Sequence, residues 1–165
     1  LGRRFQLVAI PFRAFLHMLT VEDQRRCLAR IHEHLDESGV LVLNLFDPRL
    51  DIIAAHANPL GGALKKAASC EDPNSGRRYV LWDSRRYDPE SQRLAQDYVL
   101  DEIDPDGHVV SRRYSSLTLR YVYRYEMQHL LECSGFEVVS LEGGFDGEPF
   151  RYGGEQVWVA RRAVG

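Results

Sequence analysis

The sequence predicts an α/β fold in three parts: a strand, helix, strand unit at the amino end, a three-stranded antiparallel insertion in the middle, and a helix with two further strands at the carboxyl end. Three observations predict it. Two apolar runs, FQLVAIPF and GVLVLNLFDP, lack polar alternation and read as parallel strands buried on both faces. A capped amphipathic segment lies between them. From Arg77 the hydrophobic period changes to two, the signature of half-buried antiparallel strands.

Taken in order, the first run begins at Phe5, and Thr20 then stands as an N-cap with Asp23 three residues on. Leu28, Ile31 and Leu35 recur at helical spacing, so a helix runs from about Val21 to Leu35 and ends before Gly39. The second strand follows, and the crossover is right-handed. Residues 49 to 75 carry Pro59, Gly61, Gly62, Pro73 and Asn74 around LDIIAAH, with Gly76 just after, and read as a connection with one short helix. The segments RRYVLWDSRRYD, QRLAQDYVLDEID and GHVVSRRYSSLTLRYV are then separated by Pro89-Glu90-Ser91 and Asp104-Pro105-Asp106-Gly107, which makes a three-stranded meander over 77–120. Tyr123, Met127, Leu130, Leu131 and Ser134 line one face of a helix that stops at Gly135. FEVVSLEG and EQVWVARR are the last strands, with the glycine-rich loop GGFDGEPFRYGG between them.

With 165 residues, 44% of them hydrophobic and 27% charged, one soluble domain is the expectation. A net charge of −3 without basic blocks longer than a pair argues against a nucleic-acid partner. Cys27, Cys70 and Cys133 form no C-x-x-C pair, so neither a disulfide framework nor a zinc site is expected, and a reducing cytoplasmic compartment fits. No apolar stretch has the length of a membrane span, so no membrane partner is expected.

In open α/β sheets ligands bind at the carboxyl ends of the strands, which directs attention to Ile10 to His17 and to Asn44 to Pro48. Two readings stand for His17: a proton acceptor facing the crevice, or a packing residue beside Phe15 and Leu19. Asp47 either orients a substrate amine or hydroxyl, or simply forms a turn with Pro48. Arg120 and Tyr121 stand in an aromatic and arginine-rich segment where core packing and substrate contact compete. No metal site is predicted, since His32 and His34 point to different helix faces and the other histidines are isolated. No G-x-G-x-x-G, Walker A, G-x-S-x-G or H-E-x-x-H pattern occurs.

Read in order, Ile10-Pro11-Phe12, Glu37-Ser38-Gly39 and Val40 to Phe46 resemble the second half of a class I S-adenosylmethionine-dependent methyltransferase. Leu119-Arg120-Tyr121, Gly135-Phe136-Glu137-Val138, Gly144 to Phe150 and Trp158 to Arg162 are similar to one bacterial branch of that family, to which the amino-sugar methyltransferases belong. Asn44 stands where the family often has an acidic residue, and Glu37-Ser38-Gly39 replaces its common Pro-Gly-Gly.

The resemblance implies a partial Rossmann-like methyltransferase sheet, mostly parallel with an antiparallel closing strand, whose first three strands and glycine-rich cofactor loop would lie before Leu1. It implies S-adenosylmethionine as cofactor, walled by Ile10, Pro11 and Phe12. His17 would be the catalytic residue, and Arg13, Asp47, Arg120 and Tyr121 would face a small-molecule acceptor. The partners implied are that acceptor, the amino-terminal half of the fold, and a second copy pairing through the open edge of the first strand. A non-catalytic docking or oligomerisation module is the alternative. A nicotinamide-dependent reductase would share the parallel sheet but not the insertion.

Overall fold

A computed structural model describes residues 2–57 and 62–163. The apolar run at the start forms β1 (Phe5–Ile10), and a 3-10 turn over Ala14–His17 leads to α1 (Val21–His34). Thr20 caps α1, its Oγ1 accepting from the Asp23 amide at 3.0 Å. The chain enters β2 (Leu35–Phe46) directly from the helix, with Gly39 inside the strand rather than before it. A register shift in the pairing of β1 with β2, between Phe5 and Leu7, takes up the residues around this glycine.

Next come α2 (Leu50–His56), β3 (Lys65–Glu71), β4 (Arg78–Asp88), β5 (Arg93–Ile103) and β6 (Val109–Arg120). Then α3 (Arg124–Cys133), β7 (Phe136–Glu142) and β8 (Glu155–Arg162) complete the chain. The turn expected at Pro59 and Gly61 lies outside the described residues.

Among the described residues the strands form two four-stranded sheets. The first has the order β1-β2-β8-β7. In it β1 and β2 pair parallel, and β8 runs antiparallel to both β2 and β7. The sheet is therefore mixed, with three strands pointing one way and a single reversed strand between two of them. The second, β3-β4-β5-β6, is antiparallel where its register is defined. It corrects the expected three-stranded insertion to four strands, because Lys65–Glu71, expected as connection, pairs with β4. All seven residues of β3 are exposed, so no hydrophobic alternation marks the strand in the sequence.

The chain gathers into two compact units, one of residues 1–50 with 119–165 and one of residues 51–118. The core of the first unit joins Phe15 and Leu16 of the 3-10 turn, Leu28 of α1, and Leu41, Leu43 and Leu45 of β2. Met127, Leu130 and Leu131 of α3, Phe136 and Trp158 complete it. Each such large apolar side chain, fully buried, contributes about 1.5–3 kcal/mol relative to exposure. In β2, Leu41, Leu43, Asn44 and Leu45 are buried while Val40, Val42 and Phe46 are half-buried, so one face is closed more fully than the other. β1 departs from expectation: Gln6, Leu7 and Ala9 are exposed, because β1 is the edge strand.

In the second unit the polar focus is Asp101, buried on β5. It accepts from Trp82 Nε1 at 2.9 Å and from Arg112 Nε and Nη2 at 2.6 and 2.9 Å. The hydrogen bonds from Arg112, and then that from Trp82, hold its carboxyl below the usual carboxylate range against the opposing effect of burial.

Candidate active site

The carboxyl ends of β1 and β2 meet the amino end of β8, where Ile10 pairs with Leu43, Asn44 with Val157 and Phe46 with Glu155. Just beyond β1 the backbone turns sharply. Phe12 and Arg13 both adopt left-handed φ, 57° and 59°, which costs a side-chain-bearing residue on the order of 1–3 kcal/mol and clusters at functional sites. The turn closes with the Ala14 amide on the Pro11 carbonyl at 3.2 Å and the Leu16 amide on the Arg13 carbonyl at 3.0 Å. Phe15 and Leu16 anchor it in the core, which leaves Pro11, Phe12 and His17 facing solvent. Phe12 is 93% exposed, an unusual state for a phenylalanine on a rigid turn.

Three side chains hold this turn to the sheet. The Arg13 amide donates to Asn44 Oδ1 at 3.2 Å, and Asn44 Nδ2 donates to Glu155 Oε2 at 3.0 Å. The Arg13 guanidinium pairs with Glu155 Oε1 and lies over the Phe46 ring, 5.5 Å from its centroid.

A second latch sits at the residue just beyond β2. Asp47 Oδ2 accepts from the Gly153 amide at 2.8 Å and Oδ1 accepts from Gln156 Nε2 at 2.7 Å, while the Asp47 amide donates to the Gly154 carbonyl at 2.8 Å. Gln156 in turn accepts from Trp158 Nε1 at 3.0 Å, and Tyr152 Oη accepts from the Leu50 amide at 2.8 Å. The turn leading into β8 is thus clamped onto the turn leaving β2. Gly153, at φ +78°, is the position where that clamp needs glycine.

Tyr121 is only 1% exposed and stands edge-on to Tyr123 with centroids 5.8 Å apart. Arg120 lies 3.5 Å from Glu126, whose Oε2 accepts from the Tyr123 amide at 3.3 Å at the start of α3. Burial, and then the neighbouring Tyr152, Glu126 and Asp47, push the Tyr123 phenol up.

The structure therefore brings Ile10, Pro11, Phe12, Arg13 and His17 onto one segment, and joins Arg13 to the β2 and β8 ends. Asp47 has both oxygens engaged in internal hydrogen bonds, and Tyr121 is closed to solvent. Sequence reasoning did not single out Glu155 as a site residue, and Asn44 entered it only as a departure from a family pattern. Among the described residues no group of three histidine, cysteine or acidic side chains is placed to hold a metal ion.

Neither a protein-family model nor a curated protein matches the sequence. Solved structures do. The CcbJ methyltransferase of Streptomyces caelestis is 22% identical over 99% of this chain and 59% of its own, with a TM-score of 0.78. An S-adenosylmethionine-dependent methyltransferase of Clostridium acetobutylicum is 10% identical over 99% of this chain and 61% of its own, at 0.76. CalS10 of Micromonospora echinaspora, an amino pentose methyltransferase solved with S-adenosylmethionine, is 21% identical over 99% and 60%, at 0.69. The chain has the fold of these methyltransferases and spans about three-fifths of their length. Bacterial sugar methyltransferases are among the proteins that share it. Among the described residues no helix is long and apolar enough to cross a membrane.

Proposed function

We propose that the protein containing this chain transfers a methyl group from S-adenosylmethionine to a small-molecule acceptor, with this chain supplying the acceptor-side half of the site. The observation that carries the reading is the overlay of 99% of the chain on a methyltransferase fold at a TM-score of 0.78. The fit to the cofactor is partial. Ile10, Pro11 and Phe12 offer an apolar wall at the strand end, while the backbone donors that usually cradle such a ligand belong to a glycine-rich loop this sequence lacks. When bound, the cofactor supplies an electrophilic methyl group on a sulfonium.

The chain's own residues then do three things. Phe12, held outward by its left-handed backbone, covers a ligand lying on the strand ends. His17, exposed at the end of the 3-10 turn, accepts the acceptor's proton. Arg13, Asp47, Arg120 and Tyr121 shape the acceptor side, Asp47 and Tyr121 from behind by fixing the turns that carry it.

Isothermal titration of S-adenosylmethionine into this chain and into its full-length protein tests the proposal. Binding by the full-length protein alone supports a divided cofactor site, and micromolar binding by this chain alone contradicts it. Binding by neither favours a second reading, a docking or oligomerisation module. One observation supports that alternative: among the described residues no strand pairs with the outer edge of β1, and Leu7 is 59% exposed.

A further inference from the structure

We infer that Asn44 and Glu155 are positioning residues that clasp the Phe12–Arg13 turn and thereby fix where Phe12 and His17 stand. The functional part of this inference rests on the methyl-transfer reading; the clasp itself does not. An exposed arginine and glutamate pair contributes little by itself, and here the two side chains remain 46% and 23% exposed. What distinguishes this pair is closure. Asn44 uses both ends of its amide, Oδ1 for the Arg13 amide and Nδ2 for Glu155, so its orientation is determined. Glu155 uses both oxygens, one for Asn44 and one for Arg13, so it cannot swing away without breaking two contacts. Arg13 is held at its backbone and at its guanidinium by two residues that are bonded to each other.

Asn44 is 5% exposed and lies on β2, and Glu155 opens β8, so the clasp is mounted on two rigid strands. The backbone it grips is two consecutive side-chain-bearing residues in the left-handed region, which persists only where the surroundings over-determine it. In this arrangement the Arg13 charge is directed to Glu155 and the Phe46 ring, and Arg13 serves an acceptor through the shape of the turn.

Amide hydrogen exchange on the full-length protein, carrying Glu155→Gln or Asn44→Ala, tests the clasp. The expected result is exchange of the amides between Phe12 and His17 that is faster by about tenfold or more, with β2 and β8 keeping their protection. The double variant should be little worse than the worse single one, because each breaks the same closed network. Exchange unchanged in that segment, or raised equally in β2 and β8, would overturn it. In methyl-transfer assays kcat should fall with the KM for the acceptor little changed, and Glu155→Asp should recover part of both readouts. If the full-length protein transfers no methyl group, the functional reading fails while the exchange result still decides the clasp.

Discussion

Asp47 shows how a residue at a strand end becomes structural. Its carboxylate satisfies an amide from the Gly153 turn and the amide of buried Gln156, which in turn holds Trp158. Asp47→Ala leaves two inward donors unsatisfied, and should lower stability by about 2–4 kcal/mol, read from the urea midpoint. A loss under about 0.5 kcal/mol would mean that water replaces the carboxylate. His17 carries the opposite expectation. Exposed and outside the core, it should tolerate His17→Ala without loss of fold, while on the methyl-transfer proposal turnover by the protein containing this chain drops by at least about tenfold. An unchanged rate would remove it from the mechanism. Both residues drew attention in the sequence because each sits beside a strand end that the apolar runs mark. Glu155 was not, because its partner Arg13 lies 142 residues away, and no local pattern announces a contact of that span.

Among the elements, α1 was the most legible, since a cap, a helical spacing and a bounding strand all agree. Thr20→Ala removes the hydroxyl that accepts from Asp23 and should cost about 1 kcal/mol, seen as a lower thermal midpoint. β3 was illegible for a physical reason: with every residue exposed, its pairing with β4 is backbone hydrogen bonding that no side-chain period records. The sheet it joins has its own pH signature. The folded-state pKa of Asp101 is lowered, chiefly by Arg112, so its contribution is full above the ordinary carboxylate value of about 3.9 and is lost as pH falls through the lower folded value. Stability of this sheet should therefore stay level from neutral pH to about 4 and decline below it, and Asp101→Asn should flatten that decline. Equal slopes for the two proteins in urea titrations against pH would dismiss the pair as a stabilising contact.

For the whole molecule, the sequence conveyed the order of elements better than their pairing. The parallel β1 and β2 pair follows from two unalternated runs joined by a helix. The resemblance implied an antiparallel closing strand, but the placement of β8 between β2 and β7 was not read, since the short strands after α3 carry no mark of which neighbour each will choose. The division into two units has a practical consequence. Each unit holds one of the protein's two indoles, Trp158 closed in the core of the first and Trp82 hydrogen-bonded to Asp101 in the second. Intrinsic emission is therefore a two-channel signal: with Trp82→Phe the light reports the mixed sheet, and with Trp158→Phe the insertion. On acidification below about pH 4 the insertion channel should shift first, so that a single fluorimeter distinguishes a molecule that melts as one body from one that melts in halves.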